Sequence, residues 1–326
     1  MKGVCLGVPK PEDLSIFLRV IESELPPRGF DTLVLLIRYA FPFRSHPDVS
    51  VPGGISLDGF RQIADACRQS GIRLIPKMNL LGHQSGRERG TEDGLLQAYP
   101  QFDETPDLDS VRYCRSLCPR HPDVKDVVRD LIDEMIGAFR ADAFHVGCDE
   151  VFEIGHCPRC RGASNAELFA EWIIGLHEHI VGRQGAEMLM WGDRLLDGQA
   201  TGYGEWEASL NDTHAAADMI PTDIICCDWH YTKRPDYPSI PLLTGRGFRT
   251  VVSPWRDVEA TRALLAAAEE AQSDRLMGVL QTSWCDSGEV CRAILNETAV
   301  PDGTPAEVAA SIEAVAAGTV GDASRT

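Results

Sequence analysis

The sequence carries no excess of positive charge. Its 326 residues hold 31 lysines and arginines against 49 aspartates and glutamates, for a net charge of −18. With no basic stripe to neutralise phosphates, nucleic acid and anionic membrane are not expected as partners. No apolar run approaches the length of a bilayer span. The opening residues Met1-Lys2-Gly3-Val4-Cys5 lack the charged, apolar and small-residue regions of a secretory leader. A cytoplasmic protein is expected, and its eleven cysteines are then expected to be reduced thiols. No Gly-rich phosphate loop follows the first apolar run, which weakens dinucleotide binding. His83, His145 and the carboxylates lack a tight His-x-His or His-Glu-x-x-His arrangement, so a metal-dependent hydrolase built on them ranks last. No repeat is visible, and no cofactor is called for.

What is there is a large core, with 44% hydrophobic and 25% charged residues, ordinary for a globular protein. Short apolar runs alternate with helical periodicity. Val4–Val8, Leu33–Ile37, Ile72–Ile75, Ala143–Gly147, Met188–Trp191, Ile224–Cys227, Thr250–Val252 and Gly278–Gln281 read as eight strands. Between them lie amphipathic segments such as Leu14, Phe17, Leu18, Ile21 and Leu25, or Phe60, Ile63, Ala64 and Cys67 after a capping Ser56. Eight strands alternating with helices predict an α/β fold, a closed (β/α)8 TIM barrel over residues 1–300. A doubly wound open sheet is the alternative. Residues 301–326 are expected to add a helix near 305–317 and a flexible tail. The polar stretch from about Asn79 to His121 has little periodicity, and loops of that length are usually functional.

In a barrel the chemistry sits at the C-terminal ends of the strands. The fourth run ends in His145-Val-Gly-Cys-Asp149-Glu150. Adjacent carboxylates repel, which drives their proton affinities apart and suits acid–base work on a glycosidic bond. An Asp-Glu pair that simply caps the next helix is the alternative. Aromatics are scarce, 7% of the chain, yet four of the six tryptophans, Trp191, Trp229, Trp255 and Trp284, fall at strand ends and Trp206 in a loop. Only Trp172 lies on a helical core face. Flat rings beside carboxylates suit a small carbohydrate, with core packing as the alternative.

The segment His145-Val-Gly147-Cys-Asp149-Glu150 resembles the signature of glycoside hydrolase family 20, the β-N-acetylhexosaminidases. Ile75-Pro76 with Gly82-His83, Leu189-Met190-Trp191-Gly-Asp193 and Gln281-Thr-Ser-Trp284-Cys-Asp286 resemble three further family segments in order and spacing. The resemblance covers about residues 1–295 and implies substrate-assisted retaining hydrolysis, in which the sugar's 2-acetamido oxygen attacks the anomeric carbon. It implies that Asp149 orients the acetamido group and that Glu150 is the general acid and then base. It implies that Trp191, Trp229 and Trp284 wall the sugar pocket, that Asp286 binds a hydroxyl, and that His83 and His145 give support. Two positions depart from the family pattern. The usual arginine after strand one is replaced by Leu6-Gly-Val-Pro9-Lys10, with Arg38 the nearest substitute. The usual Tyr-x-Asp after strand seven is Trp255-Arg-Asp257, leaving Tyr231 to supply a hydroxyl. An altered or non-catalytic carbohydrate-binding barrel is therefore the alternative function.

Cysteines also pair in the sequence. Cys114 and Cys118 lie in the loop after strand three, and Cys157 and Cys160 follow the acid pair. Four thiolates on two loops offer a structural zinc clip, with four separate thiols or a labile disulfide as the alternative.

Overall fold

The computed structural model describes residues 1–297 and 303–320. Among them, eight strands form: β1 Lys2–Gly7, β2 Thr32–Leu36, β3 Arg73–Lys77, β4 Ala143–His145, β5 Glu187–Trp191, β6 Ile225–Trp229, β7 Arg249–Ser253 and β8 Leu276–Gln281. They close a barrel in sequence order. All eight apolar runs became strands, because each is buried on both faces and carries few residues that solvent would favour. The chain divides into two compact units. One holds Met1–Phe41, Pro52–Pro76 and the described part of Cys227–Thr326; the other holds Pro42–Val51 and Lys77–Cys226.

In the first unit β1 pairs in parallel with β2, Gly3 opposite Thr32 through Gly7 opposite Leu36, and with β8, Lys2 opposite Val279. Val4, Leu6, Leu33, Leu35, Val251 and Val279 are fully buried. Ser56 caps the helix Leu57–Gln69, accepting from the Gly59 N–H. The helical face expected from Leu14 to Leu25 is one α-turn and a half, Leu14–Arg19, that widens into π-type turns over Val20–Glu24 ahead of Pro26. The helix Thr304–Ala317 is docked rather than loose. Lys2 Nζ donates to the carbonyls of Ala316 and Gly318, and Ser311 Oγ donates to Gln281 Oε1 at 2.9 Å. The expected boundary near residue 300 and the expected tail 321–326 lie outside the described residues.

In the second unit β3 meets β4 at Lys77 and His145, and β4 pairs with β5 from Ala143 opposite Glu187. The helix Val124–Phe139 buries Val127, Val128, Leu131, Ile132 and Met135. Ser164 and Glu167 form a capping box for Asn165–His177. The aperiodic stretch 79–121 holds one short α-helix, Gly94–Ala98, and is organised around a buried charge. Arg115 is fully buried, and its Nη1 donates to Asp103 Oδ2 and to the Thr105 carbonyl, each at 2.8 Å. Among the described residues no helix is long and apolar enough to cross a membrane.

Candidate active site

The end of β4 is built from strained backbone. Gly147, Cys148 and Glu150 all take left-handed φ values, 69°, 65° and 49°. Gly147 has no alternative there, since a Cβ would lie 2.2 Å from Asn79 Oδ1. Gly82 likewise lets its loop approach the Asp149 carbonyl, which a Cβ would meet at 2.8 Å. These two close approaches bring His83 onto the acid pair. His83 itself sits at φ 57°.

His83 Nε2 lies 3.1 Å from Asp149 Oδ2 and 3.1 Å from Glu150 Oε2. Burial alone would push the imidazolium down, but the Asp149 charge and the hydrogen bonds to both acids hold its pKa well above the ordinary value. Burial works against the Asp149 carboxylate too, yet His83, and behind it Lys77, keep that group well below the usual carboxylate range. The cation is thus shared between two carboxylates. With both ionised the trio carries one net negative charge, and one added proton neutralises it. Asp149 Oδ1 is buried and has no hydrogen-bond partner.

Below the trio lies a fully buried layer. Lys77 Nζ donates to Asn79 Oδ1 at 2.8 Å and sits 5.4 Å from the centre of the Trp191 ring. The Trp191 ring packs against His145 at 4.6 Å, and both side chains are enclosed. Burial, and then the Lys77 charge, holds His145 neutral, well below its ordinary value; its Nδ1 accepts from the Gly147 N–H at 3.0 Å. His145 therefore fixes the strained turn. Asp193 Oδ2 accepts the Glu150 N–H at 2.9 Å and Arg194 Nε at 2.7 Å. Burial pushes the Asp193 carboxyl up to about 6 against the pull of Arg194. Arg194 Nη2 in turn holds the carbonyls of Glu205, Trp206 and Ala208.

Through Arg194 the trio acquires an aromatic rim. Tyr113 meets His83 edge-on at 5.6 Å and Trp206 at 5.1 Å, and Phe152 meets Trp206 at 5.1 Å. Tyr113 and Trp206 are 40% and 43% exposed, so this is open apolar surface beside the acids. Burial, and then the charge of Glu150, raises the Tyr113 phenol. Tyr113, Phe152 and Lys77 were not singled out in the sequence. Only Lys77 left a signal, a lysine closing β3 directly after Leu74, Ile75 and Pro76.

The first unit gathers the remaining strand-end tryptophans. Trp229 stacks on Tyr231 at 4.8 Å, Tyr231 meets Trp255 at 5.4 Å, and Trp284 Nε1 donates to the Tyr231 hydroxyl at 2.8 Å. The indole N–H groups of Trp229 and Trp255 are buried without a partner. Asp286 pairs with Lys10 at 2.9 Å and caps the helix Ser287–Ile294 through the Glu289 N–H. Arg38 follows β2 with an exposed side chain.

Of the four cysteines expected together, Cys118, Cys157 and Cys160 converge. Cys114 does not; its Sγ accepts the His83 N–H at 3.2 Å. Glu104 takes the fourth place. Asp149, Glu150 and His83 form the other group among the described residues with metal-ligand spacing, with His83 already bridging the two acids.

Comparison with known proteins bears on the fold and the family. A β-hexosaminidase of Emericella nidulans is 26% identical over 224 residues, covering 66% of this chain and 34% of that protein. The crystal structure of a Flavobacterium johnsoniae chitobiase matches 96% of this chain and 47% of its own, with a TM-score of 0.67 at 18% identity. An exo-β-N-acetylglucosaminidase of Vibrio harveyi, in complex with N-acetylglucosamine, matches 96% of this chain and 54% of its own, with a TM-score of 0.67 at 15% identity. The chain thus spans about a third to a half of these relatives' length, and the structural likeness speaks for the fold. The model of the glycosyl hydrolase family 20 catalytic domain matches residues 44–290, more than half of the sequence. The chain belongs to glycoside hydrolase family 20.

Proposed function

We propose that this protein is a retaining glycosidase that releases terminal N-acetylhexosamine, N-acetylglucosamine or N-acetylgalactosamine, from β-glycosides. The observation that carries the reading is the trio at β4: one cation between two acids, with Asp149 Oδ1 buried and unpartnered. A buried carboxylate oxygen without a donor is costly, and an acetamido N–H is the donor it lacks. Asp149 accepts that N–H, turns the acetamido oxygen toward the anomeric carbon and stabilises the positive charge that grows on nitrogen. Glu150 gives its proton to the departing oxygen. It then takes one from the water that opens the cyclic intermediate. His83 holds the two carboxylates in place. Tyr113 and Trp206 present apolar faces to the group leaving beside Glu150.

We assign sugar stacking and hydroxyl contacts to Trp229, Tyr231, Trp255, Trp284, Asp286 and Arg38. The buried unpartnered indole N–H groups of Trp229 and Trp255 support a polar ligand there. Trp191 and His145, being enclosed, support the turn from beneath. The eleven free cysteines fit a reducing compartment, the cytoplasm. Release of para-nitrophenol from the N-acetyl-β-D-glucosaminide or galactosaminide by wild-type protein, abolished in Glu150→Gln, tests the reading. No turnover across an aryl-glycoside panel by folded protein defeats it. A second reading, a barrel that binds carbohydrate without cutting it, is favoured by Asp286 being committed to Lys10 and to its helix cap. Calorimetric binding of N-acetylglucosamine without hydrolysis would select it.

A further inference from the structure

A second cluster of ligating atoms lies apart from the acid trio. Glu104 and Cys118 come from the loop 79–121, Cys157 and Cys160 from the segment after Glu150, and all four side chains are buried. Cys118 Sγ lies 3.3 Å from Cys157 Sγ and 3.6 Å from Cys160 Sγ. One atom from each of the four residues falls within 4.8 Å of all the others. A tetrahedral zinc with bonds of about 2.3 Å to sulfur spaces its sulfurs by roughly 3.8 Å. The turn that presents the later pair is tight: the N–H groups of Cys160 and Arg161 both donate to the Cys157 carbonyl, at 3.0 and 2.9 Å.

Glu104 supplies the independent indication of a ligand. Its Oε1 accepts the N–H groups of Gly155, His156 and Cys157 at 2.8, 2.9 and 3.4 Å. Its Oε2 is buried and makes no hydrogen bond. Three backbone donors orient this carboxylate, and its remaining oxygen faces the three thiols without a hydrogen bond. Buried carboxylates in that state are paired or coordinate a metal.

We propose that Glu104, Cys118, Cys157 and Cys160 bind a zinc ion in a closed four-coordinate structural site. On binding, each of the three thiols forms a sulfur–zinc bond and releases one proton to solvent, and the Glu104 carboxylate donates an oxygen; nothing is oxidised or reduced. Three soft thiolates with one carboxylate suit zinc and leave no open position for chemistry at the metal. The ion ties the loop that carries His83 and Tyr113 to the segment that follows Asp149 and Glu150, so it positions the trio without touching substrate. The metal inference stands independently of the sugar chemistry.

The test uses the full chain produced with zinc available, under reducing conditions, and desalted. Elemental analysis is expected to find stoichiometric zinc in wild type and in the control Cys285→Ser, and loss of zinc in Cys160→Ser and in Glu104→Gln. EDTA treatment is expected to lower the thermal midpoint, and added zinc to restore it. Should Cys160→Ser fail to fold, cobalt(II) added to stripped wild type is expected to give a thiolate charge-transfer band and tetrahedral d–d bands, with the d–d bands shifted in Glu104→Gln. Wild type without bound metal and without those bands overturns the proposal. So does unchanged zinc in Cys160→Ser, or a mapped Cys118–Cys157 disulfide in metal-free native protein.

Discussion

Removal of the His83 imidazole attacks the electrostatic design of the trio. Its Nε2 lies 3.1 Å from each acid, and the side chains of His83, Asp149 and Glu150 are only 19%, 13% and 14% exposed. His83→Ala leaves two adjacent carboxylates without their shared cation. Stripping one partner from a buried pair costs about 3–5 kcal/mol. The water that reaches this site trims that to about 2–3 kcal/mol. The pH dependence follows from the direction of the two shifts. The pKa of His83 is raised in the folded state, so its contribution is full below the unfolded value of about 6.5 and fades as pH rises through the folded value. The pKa of Asp149 is depressed, so its contribution is present above the unfolded value of about 3.9 and fades as pH falls through the folded value. The difference in stability between wild type and His83→Ala should therefore peak between about pH 4 and about pH 6.5 and shrink toward alkaline pH. Urea unfolding at several pH values measures it. A difference that is absent, or constant from acid to alkaline pH, refutes the shared-cation account.

Asp149→Asn should lower kcat on acetamido substrates by roughly 10²–10³-fold, the usual cost of one electrostatic group at a developing charge, while leaving the fold intact; steady-state rates with circular dichroism check this. Gly147→Ala places a methyl 2.2 Å from Asn79 Oδ1 at a left-handed φ, and should cost about 2–4 kcal/mol in urea unfolding. Trp206→Ala removes an exposed ring packed on Tyr113 and Phe152. It should raise KM by about 2–10-fold, most for aryl leaving groups, with stability little changed.

The barrel could be read in the sequence because parallel strands buried on both faces are continuous apolar runs. Each observed strand lies within two residues of its expected bounds. The acid pair stood out because two carboxylates ended such a run. Of the rim only Trp206 stood out; Tyr113 reaches His83 from a loop held by the buried Arg115 guanidinium, and aperiodic segments give no spacing to read. The thiol cluster was legible as cysteine pairs, but a count of thiols pointed to Cys114. The fold instead places Cys114 under the His83 backbone and brings in Glu104, a carboxylate 14 residues upstream of Cys118 with no motif around it. The enclosed state of Trp191 was also hidden, because a strand-end position does not say whether a ring faces a pocket or the layer beneath it.

The central claim is that the attacking oxygen comes from the substrate while Asp149 holds it and Glu150 moves the proton. Proton NMR during hydrolysis of para-nitrophenyl N-acetyl-β-D-glucosaminide, run beside the matched β-glucoside, tests it most directly. The account predicts that the β-anomer of N-acetylglucosamine appears first and that the glucoside, which lacks the acetamido group, is not turned over. Release of the α-anomer first, equal turnover of the glucoside, or no release of sugar by folded wild-type protein would contradict it.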